Sequence, residues 1–174
     1  MIMKVQVFND SRNNLPKYET ELAAGLDVRA DFSHNDLDNP IKAFGSAQFV
    51  PANEVQKTSC LYLDPGSRAL IPTGLYVAIP EGYEIQVIPR SGLALKEGIS
   101  MVNCVGTIDS DYRGNIGIII INHGLKTVCI EDGERIGQLI LNKVEHIDWD
   151  EVFHKEDLGS TARGEGGFNS TGKK

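Results

Sequence analysis

The sequence predicts an all-β fold of the barrel or jelly-roll type. Residues 83–88 (YEIQVI) alternate apolar and polar side chains, the pattern of a strand with one buried face. Residues 116–121 (IGIIII) form a short apolar run that is rich in β-branched residues. Turn signals, such as Pro-Glu-Gly at 80–82, recur at short intervals. Many short strands joined by tight turns are typical of a closed or double-layered sheet.

The remaining elements follow in chain order. The N-terminal segment MIMKVQVFND alternates like a strand. Residues 31–60 are polar, turn-rich and weakly periodic, which indicates a long surface excursion. Residues 149–158 (WDEVFHKEDL) are compatible with a short helix or an irregular connection. Residues 159–174 are rich in Gly, Ser, Thr and charged residues, as disordered ends are. We therefore expect one domain over 1–158, with a surface insertion at 31–60, and then a flexible C-terminal arm.

Size and charge limit the functions open to the chain. Its 174 residues, 41% of them hydrophobic, suffice for one core but are few for two. The chain has no apolar run long enough to cross a bilayer and no signal-peptide pattern, so we expect a cytoplasmic protein, in the host cytoplasm if the source is viral. The net charge of −7 disfavours broad binding to nucleic acid. A small anion could still bind to a few local arginines with the help of a metal ion.

The three cysteines, Cys60, Cys104 and Cys129, carry no signature of a special site. Their number is odd, and no two of them have CxxC spacing. The sequence therefore indicates neither a disulfide framework nor a zinc site. We expect all three to be small, buried apolar side chains.

Residues 89–99 (PRSGLALKEGI) have the composition of a phosphate-binding turn. Arg90 offers a planar fork of donors and Ser91 offers a hydroxyl group. Gly92 lets its backbone amide approach an anion without a side chain in the way. An Arg-Ser-Gly turn at the end of a strand is also common without any ligand.

Residues 103–118 (NCVGTIDSDYRGNIGI) place two carboxylates beside an aromatic ring. Asp109 and Asp111 precede Tyr112 in this stretch. Such an arrangement suggests a general base or a metal ligand next to a stacked planar or sugar group. The alternative is an Asp-rich hairpin turn with Tyr112 in the core.

Two further stretches add donors toward the C-terminus. In residues 133–141 (GERIGQLIL), Arg135 and Gln138 lie three residues apart. In a regular strand they point to opposite faces, so we expect them not to serve one ligand in the same way. Residues 163–172 (RGEGGFNSTG) combine an arginine, a phenylalanine, hydroxyl residues and glycines, which suits a flap over phosphates and a planar ring. A flexible tail has the same composition.

Taken in order, five stretches closely resemble the five motifs of the trimeric dUTPase family. They are AGLDVRA (24–30), PRSGLALKEGI (89–99), GTIDSDYRG (106–114), GERIGQLIL (133–141) and RGEGGFNSTG (163–172). The resemblance extends to 63–83 and spans the chain except for 31–60 and 142–162. It implies a β jelly-roll (β-clip) fold that forms a homotrimer, with each active site assembled from motifs of all three chains. The implied reaction converts dUTP to dUMP and pyrophosphate with Mg²⁺, keeping uracil out of DNA and supplying dUMP for dTMP synthesis.

The resemblance also implies roles for individual residues. Asp109 matches the general base for the water that attacks the α-phosphorus, and Tyr112 matches the ring that packs under deoxyribose and excludes a 2′-hydroxyl. Asp27 matches a carboxylate that acts on Mg²⁺ through water, the metal being held mainly by the substrate phosphates. The residues implied for uracil recognition are Asn103, Gly106, Thr107 and Ile108, with Phe168 stacking on the base. The other implied substrate contacts are Arg90, Ser91, Gly92, Gly117, Gln138, Arg163, Asn169, Ser170 and Thr171.

Three features depart from the family pattern. Asn169 stands where the flap usually has glycine, Gly137 stands where alanine is common, and residues 31–60 are longer than the bacterial-type connection. At a position that needs a positive φ, Asn is the least costly replacement for Gly. We therefore expect slower closure of the flap at Asn169, and not a loss of activity.

Two alternative functions stay open. A dCTP deaminase shares the trimer and the phosphate cradle, but it needs a glutamate beside the base, and GTIDSDYRG resembles the triphosphatase version. A regulatory protein would use the trimer surface and the 31–60 insertion to bind another protein, and this role could coexist with catalysis. We expect no membrane and no direct nucleic-acid partner.

Overall fold

Strands dominate the computed structural model, which describes residues 2–35 and 41–167. Within those residues the chain forms thirteen strands, one α-helix (α1, Ser91–Glu97) and one 3₁₀ helix (Lys155–Leu158), which confirms the predicted all-β class. The strands are β1 (Gln6–Asn9), β2 (Leu26–Arg29), β3 (Lys42–Phe44), β4 (Ala47–Val50), β5 (Cys60–Leu63), β6 (Arg68–Pro72), β7 (Leu75–Ala78), β8 (Tyr83–Ile88), β9 (Ile99–Met101), β10 (Gly106–Ile108), β11 (Gly117–Asn122), β12 (Val128–Glu131) and β13 (Arg135–Lys143).

The strands form small antiparallel sheets whose inner faces make one apolar core. The strand orders are β1-β7, β10-β8-β13-β2, β3-β6-β11-β9 and β12-β5-β4. In the third sheet, buried Ile118 pairs with Ile71 and buried Ile120 pairs with Ala69. Each such isoleucine contributes about 1.5–3 kcal/mol by leaving water. The alternation seen in the sequence therefore produces the apolar face of the sheet.

The strands predicted from periodicity are present. The segment YEIQVI coincides with β8, the isoleucine-rich run overlaps β11, and the N-terminal segment contains β1. The turn between β6 and β7, which contains Pro-Thr-Gly at 72–74, needs its glycine for two reasons. Gly74 has φ +69°, and a Cβ there would lie 2.6 Å from Cβ of Ser11. No other residue fits that turn without displacing its neighbours.

Residues 31–60 contain two strands that the sequence did not predict. β3 pairs with β6 and β4 pairs with β5, so these two strands add one edge strand to each of two sheets. The sequence interpretation missed these strands, because strands of three and four residues are too short for an alternation to stand out. Residues 36–40 lie outside the described residues.

The helix α1 was also missed, since residues 89–99 were interpreted as a turn. It buries no side chain, so it has no apolar stripe to reveal it. Gly98 ends it with φ +73°, and the backbone amide of Gly98 donates to Ala94 and Leu93 carbonyls. Helix-forming residues followed by glycine were the available signal.

Contacts divide the chain into two compact units, residues 1–144 and residues 145–174. Within the described part of the second unit, only 155–158 of the WDEVFHKEDL segment is helical. Lys155 pairs with Glu165, and Arg163 Nε donates to the carbonyl of Gly166 at 2.8 Å. Across residues 2–35 and 41–167, no helix has the length and apolar character that a membrane crossing requires.

Candidate active site

Asp27 on β2 is the centre of a polar cluster, here called the Asp27 cluster, which consists of Asp27, Arg90, Arg135 and Gln138. Gln138 Nε2 donates to Oδ1 of Asp27 at 3.0 Å, and Arg135 donates to Oδ2 at 3.0 Å. The guanidinium of Arg90 lies 3.6 Å from the same Oδ2. The Asp27 side chain is 8% exposed, whereas that of Arg90 is 27% exposed. The nearly buried carboxylate of Asp27 thus positions the side chains of Arg90, Arg135 and Gln138 at the surface.

The convergence of Arg135 and Gln138 on Asp27 contradicts the expectation that they point to opposite faces. The register of β13 against β2 shifts between Arg135 and Gly137, at a β-bulge. A bulge inserts one residue on one strand, so two side chains three residues apart come to the same side. Asp27 pairs directly with Gln138 in this ladder. Both donors therefore serve one carboxylate, and the sequence interpretation was wrong here.

Arg90 links the end of β8 to the start of α1. It occupies the residue before the helix with an extended backbone, and its side chain donates to the carbonyl of Arg135 at 3.0 Å. Ser91 and Gly92 follow in the first helical turn and are exposed. The amides of a first helical turn have no acceptor within their own helix. Arg90, Ser91 and Gly92 together can present a guanidinium, a hydroxyl group and amides to an anion.

A second feature, here called the Tyr112 cleft, lies beside the loop that follows β10. Its volume is about 210 Å³. The backbone amide of Tyr112 donates to the carbonyl of Asp109 at 3.1 Å, and the Tyr112 hydroxyl donates to the carbonyl of Asn115 at 2.9 Å. These bonds fix a tight turn that presents a carboxylate and a ring together. The lining residues are Leu70, Thr107, Ile108, Asp109, Tyr112, Asn115 and Gly117.

Two glycines allow the close packing around this cleft. A Cβ at Gly114 would lie 2.4 Å from Oη of Tyr112, so the ring lies directly against the glycine backbone. A Cβ at Gly117 would lie 2.7 Å from Cδ1 of Leu70. Contacts under 3.0 Å cannot be accommodated unless a neighbour moves. The position of the Tyr112 ring therefore depends on Gly114.

Asn115 is a cleft residue that the sequence interpretation did not single out. Its Oδ1 accepts hydrogen bonds from the amides of Thr73 and Gly74 at 3.3 and 3.1 Å. The side chain therefore ties the β6–β7 turn to the loop that carries Asp109. An Asn directly before an apolar run is too common in loops for this role to be recognised from sequence.

Asn103 lies in the loop between β9 and β10. Its side chain is exposed, and a Cβ at Gly106 would lie 3.2 Å from its Nδ2. The amide group of Asn103 thus rests against the glycine backbone at the start of β10. β10 continues through Thr107 and Ile108 into the Tyr112 cleft. The loop that carries Asn103 is therefore continuous with the cleft.

Asp27 and Asp109 lie at opposite edges of one sheet, Asp27 on β2 and Asp109 directly after β10. In the order β10-β8-β13-β2, the two edge strands are separated by three strand spacings of about 4.8 Å. The two carboxylates also differ in position along the strands. Asp27 pairs with Gln138, which pairs with Ile88 near the end of β8. Ile108, the residue before Asp109, pairs with Ile85 near the start of β8. Strand geometry places Asp109 and Asp27 of one chain roughly 20 Å apart.

The remaining predicted substrate contacts lie toward the C-terminus. Arg163 belongs to the second unit, where it is exposed and bonds the carbonyl of Gly166. Phe168, Asn169, Ser170 and Thr171 lie outside the described residues.

The cysteines differ from expectation. Cys104 is exposed and Cys129 is half-buried, so burial of all three was a wrong expectation. Cys60 is buried and contacts Cys129, although 69 residues separate them in the sequence.

Comparison with known proteins gives a consistent result. The family model of dUTPase matches residues 54–172. Deoxyuridine 5′-triphosphate nucleotidohydrolase from Fusobacterium nucleatum is 47% identical over 171 residues, covering 98% of each chain. The protein of the same name from Finegoldia magna is 46% identical over 170 residues, covering 98% of this chain and 99% of its own.

Solved structures agree with the sequence relatives. A mutant dUTPase of Staphylococcus bacteriophage 80alpha with dUpNHpp is similar to this chain with a TM-score of 0.72 at 25% identity, covering 97% of this chain and 98% of its own. A mutant dUTPase from phage phi11 of S. aureus, described with a structural Mg(II) ion, has a TM-score of 0.66 at 22% identity and covers 88% and 99%. These likenesses confirm the predicted jelly-roll (β-clip) fold.

Proposed function

The chain belongs to the dUTPase family, and on that premise we propose that it joins the Tyr112 cleft of one copy to the Asp27 cluster of another within a homotrimer. The enzyme hydrolyses dUTP to dUMP and pyrophosphate. In the proposed site, the cleft holds the nucleoside and carries the general base, and the cluster holds the triphosphate.

The separation of the two features within one chain carries this proposal. A triphosphate bonded to Arg90 must place its α-phosphorus within a few ångströms of the water that Asp109 activates. Strand geometry puts Asp109 and the Asp27 cluster of one chain roughly 20 Å apart. A copy of the chain that presents its own cluster to the cleft removes that gap. Closed three-fold assembly then creates three equivalent sites.

The Tyr112 cleft is the proposed site of the nucleoside. Its volume in one chain is about 210 Å³, and Thr107, Ile108 and Tyr112 line it together with Asp109. In the proposed role, Tyr112 packs its ring against deoxyribose and leaves no space for a 2′-hydroxyl. The loop with Asn103 and the β10 backbone read uracil in this proposal, since fixed hydrogen bonds reject bases that leave them unpaired.

Asp109 is the proposed general base. It follows β10, lines the cleft with Tyr112 and is exposed, so a water molecule can reach it. The carboxylate accepts a proton from water as the water oxygen bonds to the α-phosphorus. The bond from that phosphorus to the bridging oxygen breaks, and pyrophosphate leaves.

In the Asp27 cluster, Arg90 and Gln138 are the proposed phosphate donors, with Ser91 and Gly92 beside them. Asp27 and Arg135 position these donors, because hydrogen bonds and ion pairs already hold Asp27 to Gln138, Arg135 and Arg90. A prepared array of donors loses little conformational entropy when the anion binds. Arg163, Phe168, Asn169, Ser170 and Thr171 are proposed to close over the nucleotide from the C-terminal arm.

Magnesium fits this arrangement as an ion held mainly by the phosphates. Both carboxylate oxygens of Asp27 already accept bonds from neighbouring side chains, so direct ligation would displace Arg135 or Gln138. A water-mediated role for Asp27 agrees with the reluctance of Mg²⁺ to lose its water ligands. When bound, the ion offsets phosphate charge and fixes the triphosphate conformation.

The affinities of two ligands, one with and one without the triphosphate, test whether the cleft binds the nucleoside and the cluster binds the phosphates. We expect Gln138→Ala to weaken binding of a non-hydrolysable dUTP analogue by about 10-fold or more, and to change binding of deoxyuridine much less. Tyr112→Ala should weaken both ligands. Titration calorimetry in Mg²⁺ measures both affinities. Equal losses for the two ligands in Gln138→Ala would contradict the proposed separation, and ammonia release from dCTP would favour the deaminase alternative.

A protein-binding role for the 31–60 insertion is a second proposal. Phe44, the last residue of β3, is 61% exposed and Val55 is 92% exposed, so both side chains offer apolar surface to a partner protein. Replacing both with serine should leave dUTP hydrolysis unchanged and abolish association with a partner protein. Binding by an Asp109→Asn variant would show that the role is independent of catalysis.

A further inference from the structure

Four side chains with metal-binding atoms share one face of the β5–β12 ladder. Cys60 pairs with Glu131, and Tyr62 pairs with Cys129. Residues two apart on a strand point to the same face, so Cys60, Tyr62, Cys129 and Glu131 all emerge on one side. The opposite face carries the buried side chains of the apolar core, including Leu61.

The side-chain atoms converge as well. The two Sγ atoms of Cys60 and Cys129 lie 2.7 Å apart. Ligand atoms of Cys60, Cys129 and Glu131 all lie within 4.8 Å of one another. Cys60 is buried, Cys129 is half-buried and Glu131 is exposed, so the group opens to solvent at one end. An ion could enter from the Glu131 side.

We propose that Cys60, Cys129 and Glu131 bind a thiophilic divalent cation of the Zn²⁺ class, with Tyr62 beside them, at a site independent of dUTP hydrolysis. Two thiolates and a carboxylate form a donor set that Zn²⁺ accepts, whereas Mg²⁺ prefers oxygen ligands alone. Sulfur ligands at about 2.3 Å from a tetrahedral ion stand roughly 3.8 Å apart. Widening the present sulfur separation by about 1 Å requires only side-chain rotation.

A bound cation would stabilise this group of side chains. Two thiolates and a carboxylate within 4.8 Å of one another repel each other, and a divalent cation offsets that repulsion and takes the place of the thiol protons.

Cadmium titration of the full-length chain tests the proposal. The protein is reduced with a phosphine, freed of metal with a chelator and titrated without nucleotide. We expect one Cd²⁺ per chain, an ultraviolet cadmium–thiolate charge-transfer band and displacement by Zn²⁺ but not by Mg²⁺. Loss of even an outer-shell partner typically weakens metal sites 10–100-fold, so Cys129→Ser should weaken binding by roughly 100-fold or more.

The other variants separate this site from non-specific thiol binding. Glu131→Gln should weaken Cd²⁺ binding by about 10-fold and retain the thiolate band, because both sulfurs remain. Cys104→Ser removes the exposed thiol and should change neither affinity nor band. The proposal fails if the wild-type chain gives no band, if Cys129→Ser retains it, or if Cys104→Ser loses it. It also fails if the reduced chain binds no cation and forms a Cys60–Cys129 disulfide in air.

Discussion

Asp109 and Tyr112 are the two side chains on which we expect chemistry and sugar selectivity to depend. They line one cleft, and a single turn closed by the amide of Tyr112 connects them. Because this turn is local, a change in one side chain can leave the position of the other unchanged. Substitutions at the two positions should therefore have different kinetic signatures.

Replacing Asp109 with Asn should remove the base and leave the cleft in place. We expect turnover of dUTP to fall roughly 100-fold or more, in line with typical general-base contributions, while the affinity for a non-hydrolysable analogue stays near that of the wild type. Stopped-flow release of pyrophosphate measures the rate. Asp111→Asn is the matched control, because Asp111 is a neighbouring exposed carboxylate that does not line the cleft. Near-normal turnover in Asp109→Asn would refute its role.

Tyr112 should set the preference for deoxyribose. In Tyr112→Ala, the space for a 2′-hydroxyl opens, so the ratio of kcat/KM for dUTP to that for UTP should fall. Gly114→Ala should act in the same direction, since its Cβ would lie 2.4 Å from the Tyr112 hydroxyl and must displace the ring. Steady-state assays with both nucleotides measure the ratio. An unchanged ratio in both variants would rule out this role.

At the scale of secondary-structure elements, β13 explains a departure from the family pattern. Gly137 follows the bulge, and a Cβ there would lie 2.6 Å from Cε of Met101 and 3.3 Å from Cδ1 of Ile118. Met101 is buried on β9, so its terminal methyl group fills the volume that an alanine side chain would take. Glycine and methionine thus form a complementary pair.

The pair should be energetically coupled. Gly137→Ala alone should cost about 1–3 kcal/mol of unfolding free energy by overpacking, and Met101→Val alone should cost a similar amount by leaving a gap. The double variant should be at least about 0.5 kcal/mol more stable than the sum of the single effects. Urea denaturation of the four proteins measures the coupling. Simple additivity would contradict the contact.

These elements also show how far sequence reasoning reaches. Alternation predicted β8 and β11, because a half-buried strand imposes a period of two on its residues. The cleft could be anticipated, since Asp109 and Tyr112 are close in the sequence. The bulge that turns Arg135 toward Asp27 has no such signature, because it depends on pairing with β2, about a hundred residues away in the chain. Contacts between distant strands, such as that of Cys60 with Cys129, cannot be predicted from the sequence for the same reason.

At the scale of the whole molecule, the net charge and the sheet topology both limit how the chain can bind a triphosphate. A chain with a net charge of −7 repels a triphosphate, so the donors of the Asp27 cluster must act locally and with a metal ion. In the sheet that positions those donors, Asp109 follows the edge strand β10 and lies roughly 20 Å from Asp27. We propose that assembly of three copies brings the general base Asp109 of one copy and the phosphate donors of another copy to the same triphosphate. Activity should then depend on combinations of subunits.

Mixing two inactive variants tests this central claim most directly. Asp109→Asn chains and Arg90→Ala chains are each purified, mixed in equal amounts and allowed to exchange subunits, with exchange followed by native mass spectrometry. If each site takes its cleft and its cluster from different copies, random mixing restores both in about a quarter of the sites. As a control, wild-type chains are mixed with chains that carry both substitutions. Sites shared between copies should then be intact in about a quarter of cases, whereas sites formed within one copy would be intact in about half. Recovery of dUTP hydrolysis near a quarter of the wild-type rate is the predicted result, and no recovery despite confirmed exchange would contradict the shared site.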